Sequence, residues 1–149
     1  MRLTLECYIL LFFTGAFLGW VMEVVCKLIQ FGRFINRGFL IGPYCPIYGF
    51  GAVLVTALLT PFSASPPAVF VLAMAVCGTL EYLTSYVMEK LFHARWWDYS
   101  DKKFNLDGYV CLQYSLLWGL LGMAAVRWGN DLLFRLCAHL PPLLFHAVV

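Results

Sequence analysis

The chain has 149 residues, of which 62% are hydrophobic and only 12% are charged, and its mean hydropathy is +0.82. Because soluble domains carry about 25% charged residues, this composition excludes an ordinary soluble domain and predicts an integral membrane protein. The net charge of +2 gives no reason to expect nucleic acid as a partner.

A helix needs about 20 mainly apolar residues to cross a bilayer, and four segments reach that length: residues 5–29, 38–59, 67–88 and 109–128. The first is interrupted by Glu23 and lacks a cleavage pattern, so we expect a retained helix rather than a secretory signal. The tail, residues 132–149, contains Pro141 and Pro142, which break helical hydrogen bonding. It is predicted to be either a weak fifth span or a helix at the membrane surface.

Small and polar side chains share one stripe of the first helix. Gly15, Gly19, Glu23 and Cys26 recur at helical spacing, and two glycines four residues apart allow another helix to approach closely. Glu23 is therefore expected to point into a seam between helices.

The second segment begins with an unusual density of glycine and proline, in the stretch NRGFLIGPYCPIYGFGAVL. Pro43 and Pro46 each remove a backbone donor, so we expect an irregular first turn near the membrane face. Interrupted helices often border the binding site of a transporter. A kinked or re-entrant segment with a purely structural role explains the same pattern.

The third segment carries a second acidic residue, Glu81, on the face that also holds Thr84, Ser85, Met88 and Glu89. Inserting an acid near the centre of a spanning helix costs about 2.5 to 3.5 kcal/mol, so such a residue usually faces protein or water and needs a partner. Glu81 is therefore a functional candidate of the same kind as Glu23.

Three roles are open for Glu23 and Glu81. Both could line a pathway for an ion or a polar substrate, or each could fix helix packing as a neutral or hydrogen-bonded carboxyl. Alternatively, both lie near the cytoplasmic helix ends and pair with a basic residue, namely Arg33, Arg37 or Arg95.

The connection after the third segment contains RWWDYSDKKFN, residues 95–105. Its aromatic residues, Trp96, Trp97 and Tyr99, suit a membrane-surface anchor, whereas exposed ion pairs among its charges would contribute only about 0 to 1 kcal/mol each. The segment is either an amphipathic surface element or a docking or gating element. Lysine and arginine concentrate here and in the connection after the first helix, so both connections should be cytoplasmic.

The order acid, basic link, Gly-aromatic, aromatic-Gly occurs twice. The positions are Glu23, Gly38 and Gly49 in the first half and Glu81, Gly108 and Gly119 in the second. The glycines are 11 residues apart in both halves, but the acid precedes the first glycine by 15 residues in one half and by 27 in the other.

This pattern predicts two similar helical hairpins, residues 5–59 and 67–128, related by a pseudo-twofold axis along the membrane normal. Chance similarity in a low-diversity apolar sequence is the alternative. The 12 additional residues of the second link match the length of RWWDYSDKKFN, which is therefore expected to be an inserted cytoplasmic element.

No motif indicates catalysis or a bound cofactor. The six cysteines form no CxxC pattern and are interpreted as small buried hydrophobic residues. GxSxG, HExxH and phosphate-binding GxxxxGK[ST] patterns are missing from the sequence. We therefore expect no enzyme activity, no cofactor and no metal site, and an ATP-driven role would need a separate ATPase chain.

The blocks RGFLIGPYCPIYGFGAVL and FHARWWDYSDKKFNLDGYVCLQYSLLWG resemble the small bacterial membrane proteins of the putative ABC-transporter type IV, or CmpB-like, family. The resemblance covers about residues 15–122 and implies a permease-like role. The family's recurring positions fall on Glu23, Gly38, Pro43, Pro46, Tyr48, Gly49, Glu81, Arg95, Trp96, Trp97, Asp98, Tyr99, Asn105 and Gly108.

The sequence thus predicts an all-α, polytopic helical bundle in one membrane domain, residues 1–149, with four transmembrane helices and a C-terminal apolar segment. We expect a multi-pass protein of the bacterial inner membrane that acts as a permease-like subunit of a transport system. Because four helices are few for a complete pathway, a homo- or hetero-oligomer in the lipid bilayer is expected.

Two groups of residues are assigned to this function. The substrate pathway or polar seam comprises Glu23, Glu81, Tyr48 and Arg37, and the docking or gating segment comprises Arg95, Trp96, Trp97, Asp98, Tyr99 and Asn105. The leading alternative is a non-transporting membrane scaffold or regulator, and a further one is a membrane-embedded enzyme that acts on lipid.

Overall fold

The structure, a computed structural model, describes residues 5–38 and 42–139, with side chains up to residue 135. It is mostly helical, as predicted. The helices are α1 (Leu5–Phe31), α2 (Pro46–Leu59), α3 (Pro66–Phe92), α4 (Leu112–Ala124) and α5 (Asn130–His139). A 3₁₀ turn, Thr60–Phe62, follows α2, and a π turn, Ala125–Gly129, joins α4 to α5. The predicted tail beyond residue 139 lies outside the described residues.

Two helices, α1 and α3, are long and apolar enough to cross a membrane. Each has 27 residues, which corresponds to about 40 Å at 1.5 Å per residue. Both end in a left-handed residue, Gly32 after α1 and His93 after α3, a conformation that commonly terminates helices. The predicted segments 5–29 and 67–88 therefore fall within these helices, each of which extends slightly further.

The second predicted span begins later than expected. Its helix, α2, starts at Pro46 rather than at residue 38. Proline is well suited to the first helical position, but it disfavours helical geometry in the preceding residue, here Cys45. The Cys45 backbone N–H instead donates to the Ala16 carbonyl of α1 over 2.9 Å, so the chain before α2 runs alongside α1.

The described chain divides into two compact units. The first comprises the residues up to Val53 together with those from Asp131 onward, and the second comprises Leu54–Asn130. In the first unit the predicted small-residue stripe of α1 packs against α2. A Cβ atom on Gly15 would lie 2.9 Å from Ala52 Cβ, and one on Gly49 would lie 2.7 Å from the Phe12 ring.

In the second unit α3 packs closely against α4. A Cβ on Gly119 would lie 2.7 Å from Met74 Cγ, and one on Gly122 would lie 2.5 Å from Ala73 Cβ. The buried apolar core comprises Val55, Leu59, Val69, Ala73 and Val126. Within this core Thr56 Oγ1 donates to Asn130 Oδ1 over 3.1 Å, which satisfies a polar group at the end of the π turn.

The connection between α3 and α4, residues 93–111, is called the second link below. It contains two short antiparallel strands, β1 (Asn105–Leu106) and β2 (Val110–Cys111), paired Asn105 to Cys111 and Leu106 to Val110. Three residues, Asp107, Gly108 and Tyr109, connect the strands, and Asp107 and Gly108 have positive φ angles of 55° and 71°, which Asp and Gly tolerate better than most residues in turns. The sequence prediction of an all-helical chain missed this hairpin.

Candidate functional site

The first candidate centre surrounds Glu23 on α1. The Tyr48 hydroxyl donates to Glu23 Oε1 over 2.5 Å, and Arg37 Nε lies 3.8 Å from Glu23 Oε2. The side chains of Glu23 and Arg37 are 29% and 36% exposed. Three of the residues assigned to the polar seam, Glu23, Tyr48 and Arg37, are thus in contact. The Glu23 carboxylate accepts a hydrogen bond from the Tyr48 hydroxyl and faces the Arg37 guanidinium.

The start of α2 explains why Tyr48 reaches Glu23. Helix α2 begins at Pro46, beside the glycine stripe of α1, and the Tyr48 ring packs where a Cβ on Gly19 would otherwise lie. Because Gly19 precedes Glu23 by one helical turn, the phenol ring passes over the glycine and its hydroxyl meets the carboxylate.

The second candidate centre surrounds Glu81 on α3, which is only 5% exposed. The Tyr99 hydroxyl donates to Glu81 Oε1 over 2.9 Å, and Trp118 Nε1 donates to Oε2 over 3.3 Å. Burial and the neighbouring Glu81 carboxylate raise the pKa of Tyr99 well above its usual range. Tyr99 therefore remains a hydrogen-bond donor at any physiological pH.

The second link is held together by an ionic network around Arg95. Arg95 Nε lies 2.7 Å from Glu89 Oε2, and Arg95 NH1 lies 3.3 Å from Asp98 Oδ1. The guanidinium also covers the Tyr109 ring, 4.9 Å from its centroid. Hydrogen bonds from the Ser100 side chain and backbone, followed by Arg95, lower the pKa of Asp98.

The aromatic residues of the second link do not all face outward. Trp97 Nε1 donates to the Tyr109 carbonyl over 3.0 Å, and the Tyr99 ring stacks on Tyr114 at a centroid distance of 4.8 Å. Trp96 is 44% exposed. Of the three residues expected to suit a surface anchor, Trp97 therefore holds the link to its β-hairpin, and Tyr99 holds it to α4.

Asn105 and Gly108 give the link its local shape. The Asn105 side chain donates to the Lys102 carbonyl over 2.8 Å and accepts from the Gly108 N–H over 3.0 Å. A Cβ on Gly108 would lie 2.7 Å from Asp98 Oδ1 and 2.8 Å from Arg95 NH1. The assigned docking or gating residues thus form one compact folded element.

Comparison with known protein families identifies the relatives of the chain. The sequence profile described as "Putative ABC-transporter type IV" matches residues 10–149. The chain belongs to this family. The match confirms the resemblance seen in the sequence, and together with the two apolar helices it supports, at a coarse level, a membrane protein related to transport. No curated protein and no solved structure gives a significant match.

Among the contacts in this ABC-transporter type IV family member that the sequence did not predict are three hydrogen bonds between side chains. Trp118 donates to Glu81, Asp107 Oδ2 accepts from the Tyr82 hydroxyl over 2.8 Å, and Thr56 pairs with Asn130. The aromatic-Gly pattern contained a signal for the first, because Trp118 precedes Gly119 as Tyr48 precedes Gly49. The other two had no comparable signal in the sequence.

Proposed function

We propose that the chain is a non-enzymatic, permease-like subunit of a transport system in the bacterial inner membrane. The observation that carries this proposal is the hydrogen bond between Tyr99 and Glu81. It joins the second link, which bears the exposed charges, to a buried carboxylate within an apolar 27-residue helix. A partner that moves the link would change the hydrogen bonding of that carboxylate.

Four membrane-spanning segments are part of the proposal. Besides α1 and α3, α2 and its 3₁₀ turn provide 17 apolar residues, Pro46–Phe62, or about 25 Å of helix. The fourth segment begins at α4 and continues through the π turn into α5. Four segments in one chain are few for an enclosed path, so the subunit is expected to function as a homo- or hetero-oligomer.

We further propose that the two hairpins are copies of one design. Equivalent positions in the first helices of the two hairpins differ by 58 in residue number, and those in the second helices differ by 70. Three contacts of the first hairpin each have a counterpart in the second hairpin and support this relation. Phe12–Gly49 corresponds to Phe70–Gly119, Gly15–Ala52 corresponds to Ala73–Gly122, and Glu23–Tyr48 corresponds to Glu81–Trp118. In each hairpin a carboxylate on the first helix therefore accepts a hydrogen bond from an aromatic donor on the second helix.

A separate ATPase chain is the partner that an ABC-type system requires. Its expected docking element is the second link, whose exposed surface includes Trp96, Asp101 and Lys103. The hydrogen bonds of Trp97 and Tyr99 would transmit a displacement of this surface to α4 and to Glu81.

A non-transporting scaffold or regulator is the second candidate function. It is favoured by the donors around Glu81, since both carboxylate oxygens already accept hydrogen bonds from aromatic side chains. A carboxylate held in this way can fix the packing of α3 against α4 without binding any solute.

The test is copurification in a mild detergent, followed by ATP hydrolysis in lipid nanodiscs. The wild-type chain is expected to retain an ATPase, and the variant Lys103→Glu to lose it several-fold. Arg127→Glu is the matched charge reversal, since Arg127 NH1 contacts the Ser63 carbonyl just before α3, at the end opposite to the link. Failure of the wild-type chain to retain an ATPase would contradict the ABC-type proposal.

Glu81→Gln separates the two candidate functions. The amide keeps the size of the side chain and one acceptor oxygen but removes its charge. If the carboxylate belongs to a transport path, this variant is expected to assemble with the ATPase yet alter its hydrolysis rate. An unchanged rate together with unchanged assembly would favour the scaffold.

A further inference from the structure

The second link lies along α3 and not only at its end. Tyr99 contacts Glu81, and Asp107 contacts Tyr82. Glu81 precedes the end of α3 at Phe92 by 11 residues, which is about 16 Å along the helix axis. Residues of the link therefore return toward the middle of α3 by about three helical turns.

Helix α4 begins at the same depth. A Cβ on Gly78 would have Ser115 Oγ as its nearest neighbour, at 3.9 Å, and Ser115 lies within the first turn of α4. The chain between Phe92 and Leu112 is almost entirely non-helical. If α3 crosses the bilayer, non-helical backbone is present beside its inner turns.

Such backbone is tolerated at membrane depth only where protein buries it or where it lines water. Protein buries only part of the link: Gly108, Tyr109 and Cys111 are buried, whereas Asp101, Lys103, Asn105 and Asp107 are exposed. Of the exposed residues, Asp107 contacts Tyr82, the neighbour of Glu81. The exposed polar groups are unsuited to contact with hydrocarbon, since charged side chains within membrane proteins face the protein interior or an aqueous cavity. Water is the remaining environment.

We propose that the second link lines a water-filled vestibule that reaches the depth of Glu81 and admits small polar or ionic solutes from the lysine-rich side. This inference rests on the placement of α3 across the bilayer under the proposed function. It also adds a role for the exposed polar side chains of the link, which become part of the wall of an access path.

The outer face of α3 provides the contrast. Leu83, two residues beyond Glu81, is 53% exposed, and Val87, one turn later on the same face, is 45% exposed. These apolar side chains suit lipid, whereas Lys103 on the link suits water. The chain therefore presents an apolar surface on α3 and a charged side chain on the link, and the difference between their environments can be measured.

The first hairpin has a similar arrangement. Arg37 reaches Glu23, and Asn36 Oδ1 accepts a hydrogen bond from Trp20 Nε1 over 2.8 Å. Trp20 and Glu23 lie 11 and 8 residues before the end of α1 at Phe31. Polar groups of a non-helical link thus lie beside an apolar helix in this hairpin as well.

Nitroxide accessibility tests the proposal in the full chain. A genetically encoded keto amino acid carrying a spin label is placed at position 103 or 83, which leaves every native cysteine in place, and the protein is reconstituted in nanodiscs. Collisions with water-soluble nickel chelate are expected to be several-fold more frequent at 103 than at 83. Collisions with oxygen, which concentrates in lipid, are expected to show the opposite order.

The other outcomes overturn different statements. If positions 103 and 83 both favour oxygen, the link is embedded in lipid and the vestibule is wrong, while α3 still crosses the bilayer. If both favour the nickel chelate, this level of α3 lies outside the bilayer, which contradicts the vestibule and the placement of α3 together. Unchanged helix content by circular dichroism ensures that a labelled variant reports on the native fold.

Discussion

At the scale of single residues, the hydrogen bond from Tyr99 to Glu81 is the contact that links a folded connection to a buried carboxylate. Tyr99→Phe is expected to destabilise the protein by about 1.5 to 3 kcal/mol, the range for hydrogen bonds to charged groups. Unfolding in mixed micelles measures the change. Tyr86→Phe is the matched control, because Tyr86 is exposed on α3. Equal effects of the two variants would contradict a special role for Tyr99.

The turn residue Gly108 combines two restrictions that can be separated. Its φ is positive, and a Cβ there would also lie 2.5 Å from Ser100 Oγ. Gly32 has a φ of 65° but no atom within 4 Å of a built Cβ. Gly32→Ala should therefore cost about 1–2 kcal/mol for backbone strain alone, and Gly108→Ala should cost clearly more in the same unfolding measurement. A larger loss in Gly32→Ala would show that the close packing of the link is not restrictive.

Asp98 should make the stability of the second link depend on pH. Its pKa is lowered by hydrogen bonds from Ser100 and by Arg95, so it favours the folded state once ionised. That contribution is fully present above the unfolded pKa of about 3.9 and disappears as pH falls through the lower folded value. The stability difference between wild type and Asp98→Asn should therefore shrink below about pH 4. A constant difference down to pH 2 would contradict this assignment.

At the scale of secondary-structure elements, close helix packing explains where glycine is required. A Cβ on Gly119 would lie 2.7 Å from Met74 and 2.8 Å from the Phe70 ring, whereas a Cβ on Gly78 meets nothing closer than 3.9 Å. Gly119→Ala is therefore expected to cost about 1–3 kcal/mol through overpacking. Gly78→Ala should be neutral or stabilise α3 by up to about 1 kcal/mol, because alanine favours helix. Thermal unfolding of both variants in detergent checks this contrast.

The elements also show how far the sequence could predict the fold. Helices α1 and α3 were predicted well because each is a long apolar run, although the predicted segments ended two residues early in α1 and four residues early in α3. Hydropathy placed the start of the second span at residue 38, eight residues before α2 begins. The irregular start predicted from Pro43 and Pro46 is confirmed by the non-helical residues 42–45, because Pro46 disfavours helix in the residue before it. The hairpin in the second link had a local signal, Asp107-Gly108, which the surrounding aromatic and charged residues obscured.

The candidate site was predictable in part for a similar reason. An acidic residue in an apolar helix needs a partner, so Glu23 and Glu81 could be selected from the sequence alone. The identity of the partner depends on where the neighbouring helix begins. Trp118 reaches Glu81 from the second turn of α4, and this register is fixed by the packing of Gly119 and Gly122 rather than by hydropathy.

At the scale of the whole molecule, the proposed duplication makes a prediction about one pair of small residues in each hairpin. The first hairpin has Gly15 opposite Ala52, and the second has Ala73 opposite Gly122. The two pairs have the same composition with the glycine on opposite helices. Each contact therefore tolerates one methyl group but not two, whichever helix carries it.

Gly15→Ala alone should destabilise the protein by about 1–3 kcal/mol, because its new Cβ would lie 2.9 Å from Ala52 Cβ. Adding Ala52→Gly should recover most of that loss, since the double variant reproduces the arrangement of the second hairpin. The same cycle with Gly122→Ala and Ala73→Gly should behave alike, with coupling of the same sign. Ala52→Gly and Ala73→Gly alone measure the cost of an added helical glycine. If both double variants lose as much stability as the sum of their single variants, neither contact is limited to one methyl group. If only one of them does, the two contacts are not equivalent and the hairpins are not copies of one design.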